Sequence, residues 1–211
     1  MEITMLTNLL GAVGLGAASG LNAWIPLFAL GLAGRTGLVE LSSPFDALSS
    51  TPVLVVLGVV FLLDLIGDKI PAIDHVLHAV GALVAPASGA VVVMAQEHLL
   101  TQTHPAVAGV LGLVLGGTIH AGRSAFRPVV TAGTGGIGNP VVSIVEDVIS
   151  AVLTLLAIVV PVLAFLSVIG LVVFAVVWFR RWQRRRAERR AAAGMAPGVA
   201  DPVGAWQRGG T

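Results

Sequence analysis

The chain has 211 residues, of which 56% are hydrophobic and only 11% are charged, and its mean hydropathy is +0.95. A soluble domain carries roughly 25% charged residues, so this composition excludes an ordinary soluble fold and predicts one compact domain inside a membrane. The chain has no cysteine, which excludes disulfides and cysteine-based metal or redox chemistry. The net charge of +1 conceals an asymmetry, because seven of the 12 Lys and Arg lie between Arg180 and Arg190.

Apolar segments of membrane-spanning length recur along the chain. A helical span needs about 20 apolar residues. About six such spans are predicted, at residues 9–33, 53–67, 76–94 and 105–131, with two more inside 141–179. The last segment is too long for one span, and Pro161 is the residue at which we expect it to divide. The predicted fold class is therefore all-α, a polytopic integral membrane helix bundle over residues 1–190, with 191–211 as a disordered cytoplasmic tail.

The basic residues after the last span predict the orientation of the bundle. Because Lys and Arg are concentrated on the cytoplasmic side of membrane proteins, the cluster Arg180–Arg190 predicts a cytoplasmic C-terminus. Six spans then place the N-terminus in the cytoplasm too, and loops 34–52 and 96–104 outside. The scarcity of Lys beside abundant Ala, Gly, Val and Arg indicates a bacterial inner (plasma) membrane protein. The tail is expected to contact anionic membrane lipids and to bind no nucleic acid.

Residues 14–26 and 116–128 match without gaps and indicate an internal repeat. The coinciding pairs are Gly14 with Gly116, Gly20 with Gly122, Ala23 with Ala125 and Pro26 with Pro128. Because three spans separate the two copies, this predicts two inverted three-helix halves, about 8–95 and 105–182. The alternative is a similarity of glycine-rich composition alone.

The residues of the repeat also predict local structure. Small residues spaced three or four apart, such as Gly112 and Gly116, let helix backbones approach closely. Pro26 and Pro128 each remove a backbone hydrogen bond and are expected to kink or break their helices.

Several short stretches together are similar to the motifs of a known family. They are Ser19–Pro26, Asp68–Asp74, Gly135–Pro140 and the pair Glu146 and Asp147. Over roughly residues 8–165 the chain resembles the bacterial membrane family called domain of unknown function 4126. The resemblance implies a polytopic membrane fold and no established biochemical activity. Asp64 stands where the family is expected to have Glu, which keeps the charge and shortens its reach.

Four acidic residues lie at or near the ends of predicted spans, where ionisable groups are costly and are first interpreted as functional. Asp64 and Asp68 share a helix face at spacing i, i+4, and two close carboxylates in a low-dielectric site cannot both ionise easily. Glu146 and Asp147 begin the fifth span on the same side of the membrane. We predict that these four residues couple the protein to protons or cations. The alternative is a structural network, since acids near a helix N-terminus also favour the helix dipole.

Arg123 and Arg127 precede a glycine-rich turn that leads into a helix N-terminus. Guanidinium groups and exposed backbone N–H groups together predict an anion site for a lipid phosphate or an organic acid. The predicted substrate-binding residues are Asn22, Pro26, Arg123, Arg127, Gly135, Gly136 and Asn139. For the glycines, a tight turn between two spans is the alternative interpretation.

Two functional hypotheses follow. The first is a small permease or lipid or anion translocator, with or without coupling to protons or cations. The second is a non-transporting scaffold or accessory subunit whose charges are structural and which forms a homo-oligomer or binds a membrane partner protein. The sequence contains no recognisable nucleophile constellation or metal-ligand spacing, so enzymatic activity, a metal and a cofactor are not expected.

Overall fold

The computed structural model describes residues 2–96, 105–135 and 137–194. Within these ranges the chain forms seven α-helices. They are α1 (Glu2–Leu21), α2 (Trp24–Arg35), α3 (Thr51–Gly67), α4 (Pro71–Met94), α5 (Pro105–Thr134), α6 (Asn139–Val159) and α7 (Pro161–Gly194). A 3₁₀ turn, Phe45–Ser49, precedes α3. The described residues contain one isolated β-bridge, between Leu41 and Gln96, and no strand, which confirms the all-α class.

The helices after α2 follow the predicted spans. The predicted division at Pro161 is confirmed, since α6 ends at Val159 and α7 begins at the proline. Pro128 lies inside α5, which continues to Thr134, so it does not end its helix. Among the described residues, three stretches are long and apolar enough to cross a membrane, namely Pro105–Thr134, Asn139–Val159 and Pro161–Glu188, and the remaining apolar helices are shorter.

The predicted first span, residues 9–33, is a helical hairpin rather than one crossing. Asn8 and Gly11, near the start of the segment, line the same cavity as Leu30 and Gly37, near its end. The two ends of the hairpin are therefore on the same side of the bundle, and the prediction of a single span there is wrong. Because both ends lie on one side, the predictions of a cytoplasmic N-terminus and of an outer loop 34–52 cannot both be correct.

The neighbours of the hairpin show the same reversal of direction. α1 runs parallel to α5, because Gly16 lies against Leu115 and the Arg123 guanidinium reaches the Leu21 carbonyl. α2 runs antiparallel to α3. Its Phe28 ring stacks on Phe61 with 6.3 Å between centroids. The end of α2 lies beside the start of α3, since Gly31 approaches Leu54 and Gly34 approaches Ser49.

Pro26 explains where the hairpin turns. A proline removes the hydrogen bond to the carbonyl four residues earlier and its ring clashes with that carbonyl, which here belongs to Asn22. The helix accordingly stops at Leu21 and resumes at Trp24. The Asn22 Oδ1 atom accepts hydrogen bonds from the backbone N–H groups of Trp24 at 2.9 Å and Ile25 at 3.2 Å. This side chain therefore caps the start of α2.

The second copy of the predicted repeat lacks this break. Ser124 occupies the position that matches Asn22, and its hydroxyl donates to the His120 carbonyl at 2.9 Å within α5. A serine bonded back to its own helix leaves the next turn without the cap that Asn22 provides. The repeat therefore remains a prediction from sequence, and the helix break is not duplicated.

Small residues bring the helices of the bundle into backbone contact, as their spacing predicts. A Cβ atom added at Gly112 of α5 would lie 2.1 Å from the Gly89 carbonyl oxygen of α4. One at Gly116 would lie 2.6 Å from the Ala85 oxygen, and one at Gly20 of α1 would lie 2.5 Å from Ile119. α4 and α1 therefore both pack closely against α5.

The chain divides into two compact units, Met1–Val168 and Ile169–Thr211. The first contains α1 to α6 and the first turns of α7, with a core that includes Leu15, Leu30 and Val92. In the second, the Arg186 guanidinium lies 3.7 Å over the Trp182 ring. Of the predicted tail, residues 191–194 continue α7 and residues 195–211 lie outside the described part of the chain.

Candidate functional site

Asn22, at the turn of the hairpin, joins two other helices. It is 3% exposed, and its Nδ2 atom donates to Asp64 Oδ2 of α3 and to Asp147 Oδ1 of α6, both at 2.9 Å. Because its Oδ1 atom caps α2 at the same time, the amide uses both donors and its acceptor. One neutral side chain thus caps the helix that follows the break and holds two carboxylates beside it.

Lys69 extends this group at the end of α3. Its ammonium nitrogen lies 2.8 Å from Asp68 Oδ1 and 3.8 Å from Asp147 Oδ2, and it donates to the Leu65 carbonyl. Asp68 and Asp147 are buried, while the Lys69 side chain is 32% exposed. The lysine therefore supplies positive charge to a carboxylate on each of two helices.

Glu146 pairs with both arginines predicted to bind an anion. Its Oε2 atom lies 2.7 Å from Arg123 Nε and 3.1 Å from Arg127 Nη2. Arg127 Nη2 also donates to the Ser143 hydroxyl at 2.8 Å, and Arg123 Nη1 donates to the Leu21 carbonyl. Charges buried in this way are tolerated because each has an opposite charge and further hydrogen bonds.

Side chains from three helices donate hydrogen bonds to backbone carbonyls near the break. Besides Arg123 on the Leu21 carbonyl, Ser88 of α4 donates to the Ala23 carbonyl at 2.7 Å. Ser150 of α6 donates to the Ala18 carbonyl at 3.0 Å. Interrupted backbone at membrane depth needs such protein partners, because lipid tails offer none.

A cavity of about 300 Å³ lies against the turn of the hairpin. Its polar lining consists of Ser19, Asn22, Asp64, Asp68, His120 and Arg123. The remainder is largely aliphatic and comes mostly from α3 and α4, with Leu21, Ala23 and Trp24 from the hairpin. Two of these residues, Leu63 and Val80, are 63% and 46% exposed, so the wall of the cavity reaches the outer surface of the bundle.

The structure separates the predicted site residues into three groups. Asn22, Arg123, Asp64 and Asp68 line the cavity, and Arg127, Glu146 and Asp147 complete the charged network next to it.

The remaining predicted residues lie elsewhere. Pro26 is buried in α2. Gly135 is at the exposed turn after α5, and Asn139 begins α6, where its side chain hydrogen-bonds to Thr131. Gly136 lies outside the described residues. The arginines reach Glu146 rather than this glycine-rich turn.

Sequence reasoning missed the serines and the histidine of this region. Ser143 and Ser150, with Glu146 and Asp147 between them, recur at helical spacing and form one polar stripe on the otherwise apolar α6. That periodicity is a signal available in the sequence. Ser88 carries no such signal, since it is the single polar residue in the segment 79–94 of α4. His120 does carry it, because Arg123 and Arg127 follow it at helical spacing on the same face of α5.

An all-α fold with long apolar helices, many exposed apolar side chains and a group of buried charged residues on three helices belongs to the class of α-helical membrane proteins. The family described as a domain of unknown function (DUF4126) matches residues 9–181, and the chain belongs to this family. Comparison with curated proteins and with solved structures found no match.

Proposed function

We propose that the protein is a small multi-pass permease or lipid translocator whose binding site is the cavity at the turn of the α1–α2 hairpin. The observation that carries this proposal is the position of Asn22, which links an interrupted helix to carboxylates on two other helices beside that cavity. Secondary transporters place their substrate and ion sites at discontinuous helices of this kind. Buried charges that are expensive to keep in a membrane are a further reason to expect function there.

The proposed topology differs from six crossings. The hairpin enters from the outer side of a bacterial inner membrane and returns to it, while α3 to α7 cross the membrane. The basic cluster Arg180–Arg190 favours a cytoplasmic C-terminus, and the odd number of crossings then places the N-terminus outside. The ion-coupling network lies toward the cytoplasmic ends of α3, α5 and α6.

Asp64 is the acid that we propose for coupling. The network holds four acids against Lys69 and two arginines, so it carries one net negative charge when all are ionised. Asp68, Glu146 and Asp147 each have a basic partner within 4 Å. In the described part of the chain, Asp64 has only the neutral Asn22 amide. Binding of a proton or a cation at Asp64 would neutralise the network.

The test is proton flux and lipid exchange in liposomes that contain the purified protein. Wild-type protein should conduct protons or exchange fluorescent phospholipids between leaflets, and Asp64→Asn should reduce that rate at least about tenfold because it removes the titrating group. Asp46→Asn makes the same chemical change on an exposed residue of the 3₁₀ turn before α3 and should leave the rate unchanged. Wild-type protein inactive in both assays would refute the proposal.

A scaffold or accessory subunit is the second candidate. It is favoured by the pairing of Arg123, Arg127 and Lys69 with acids of the same chain, which is what a purely structural network requires. It predicts a stable complex with a second copy or a membrane partner protein after mild solubilisation. It also predicts that Asp64→Asn changes stability without changing any flux.

A further inference from the structure

Two groups of opposite charge in the cavity retain unused hydrogen-bonding capacity. Asp64 accepts one hydrogen bond, at Oδ2 from Asn22, and its Oδ1 atom has no partner among the described residues. The Arg123 Nε atom is ion-paired with Glu146, Nη1 donates to the Leu21 carbonyl, and Nη2 has no partner in the same part of the chain. Both residues line the cavity, one from α3 and the other from α5.

The charges decide between classes of ligand. A simple anion at Arg123 would also face Asp64 and Asp68 in a network that already carries a net negative charge. A simple cation at Asp64 would balance the net negative charge but would leave the Arg123 Nη2 atom without an acceptor. A ligand with both charges satisfies both groups, because an ammonium has donors for the carboxylate and a phosphate accepts from the guanidinium.

The shape of the cavity indicates an apolar portion as well. Its aliphatic lining includes Val60, Leu63, Leu77, Val80 and Val84 of α3 and α4. Because Leu63 and Val80 are exposed, this lining continues onto the apolar outer surface. A volume of about 300 Å³ is at the small end of ligand pockets and suits a headgroup whose chains extend outward.

We propose that the cavity binds a zwitterionic amphiphile that carries a primary amine and a phosphate, with the amine at Asp64 and the phosphate at Arg123. The apolar chains would leave between α3 and α4. This inference rests on the proposed function and names the substrate class of the same site. The shared chemistry could come from a phospholipid or from a free amino-phosphate metabolite, and the experiment separates the two.

The experiment is native mass spectrometry of the full-length protein released from micelles that contain equal amounts of phosphatidylethanolamine, phosphatidylglycerol and phosphatidylcholine. Phosphatidylethanolamine should be retained about tenfold over phosphatidylglycerol, which lacks the amine, as expected for one charge-assisted hydrogen bond. It should also exceed phosphatidylcholine, whose quaternary amine has no N–H donor. Asp64→Asn should abolish the preference, and Asp46→Asn should preserve it.

Val80→Trp tests the site without changing its charges, which keeps the proposal falsifiable if Asp64→Asn does not fold. This exposed position at the cavity wall tolerates a larger side chain, which should obstruct the cavity and lower retention of phosphatidylethanolamine. Preferential retention of phosphatidylglycerol, or equal retention of all three lipids, would overturn the inference. Retention unchanged in a folded Val80→Trp variant would overturn it as well.

Added phosphoethanolamine distinguishes the sources of the ligand. If it displaces the lipid at comparable concentration, the free metabolite is the ligand, and if it does not, the lipid is. Flux that depends on Asp64 without lipid preference would leave the proposed function standing and remove this substrate class. Lipid preference without flux or exchange would leave the ligand class standing and remove the proposed transport function.

Discussion

The contact between Gly112 of α5 and Gly89 of α4 makes a strong prediction about stability. A Cβ atom at Gly112 would lie 2.1 Å from the Gly89 oxygen, 2.6 Å from the Gly89 carbonyl carbon and 2.9 Å from Ala90 Cα. All three are backbone atoms that cannot rotate away, so α4 and α5 would have to separate by about 1 Å. We expect Gly112→Ala to lower the free energy of unfolding by about 1–3 kcal/mol, as overpacking does.

Gly122→Ala is the matched control in the same helix. Gly122 is exposed and a Cβ atom there would meet nothing within 4 Å. Because alanine forms helix better than glycine, this variant should be unchanged or more stable by up to about 1 kcal/mol. Unfolding in detergent with increasing dodecyl sulfate, followed by circular dichroism, measures both variants. If Gly112→Ala is as stable as Gly122→Ala, the backbone contact between α4 and α5 does not exist as described.

Two further predictions concern the charged network and the hairpin. Glu146→Gln leaves the buried Arg127 and the half-buried Arg123 without their carboxylate and should cost about 3–5 kcal/mol in the same unfolding assay. Asp46→Asn at an exposed position should cost little, and equal stability of the two variants would show that the arginines are held by other partners. Because the chain has no native cysteine, single cysteines at Asn8, Ser43 and Gly135 can be labelled with a membrane-impermeant maleimide. Labelling of Asn8→Cys and Ser43→Cys from one side and Gly135→Cys from the other is expected, and Asn8→Cys reacting together with Gly135→Cys would contradict the hairpin.

Features that depend on short stretches of chain were predictable. Mean hydropathy and segment length predicted an all-α membrane bundle, because a bilayer requires each spanning segment to satisfy its own backbone hydrogen bonds. Pro161 marked the boundary between α6 and α7 for a local steric reason. The close approach of α4 and α5 at Gly112 and Gly116 also followed from residue size and helical spacing.

The polar groups of the site were predictable as a set, and their partners were not. The i, i+4 pairs and the acids early in α6 predicted that four carboxylates and two arginines lie close together. The structure brings them into two neighbouring groups, one around Asn22 and Lys69 and the other around Glu146. Which arginine meets which acid depends on how helices pack. Arg123 and Arg127 therefore gave the sequence pattern of an anion site, while the structure pairs both with Glu146.

The direction of the chain after Asn22 was decided by tertiary structure alone. The sequence by itself predicted a kink or a break about four residues before Pro26, since the proline acts on its own helix turn. It did not determine whether α2 would continue across the membrane or turn back. That choice depends on Asn22 reaching Asp64 and Asp147, which are 42 and 125 residues away along the chain, and on α2 packing against α3. Such contacts are set by the assembled bundle, so the hairpin and the cavity beside it exist only in the folded protein.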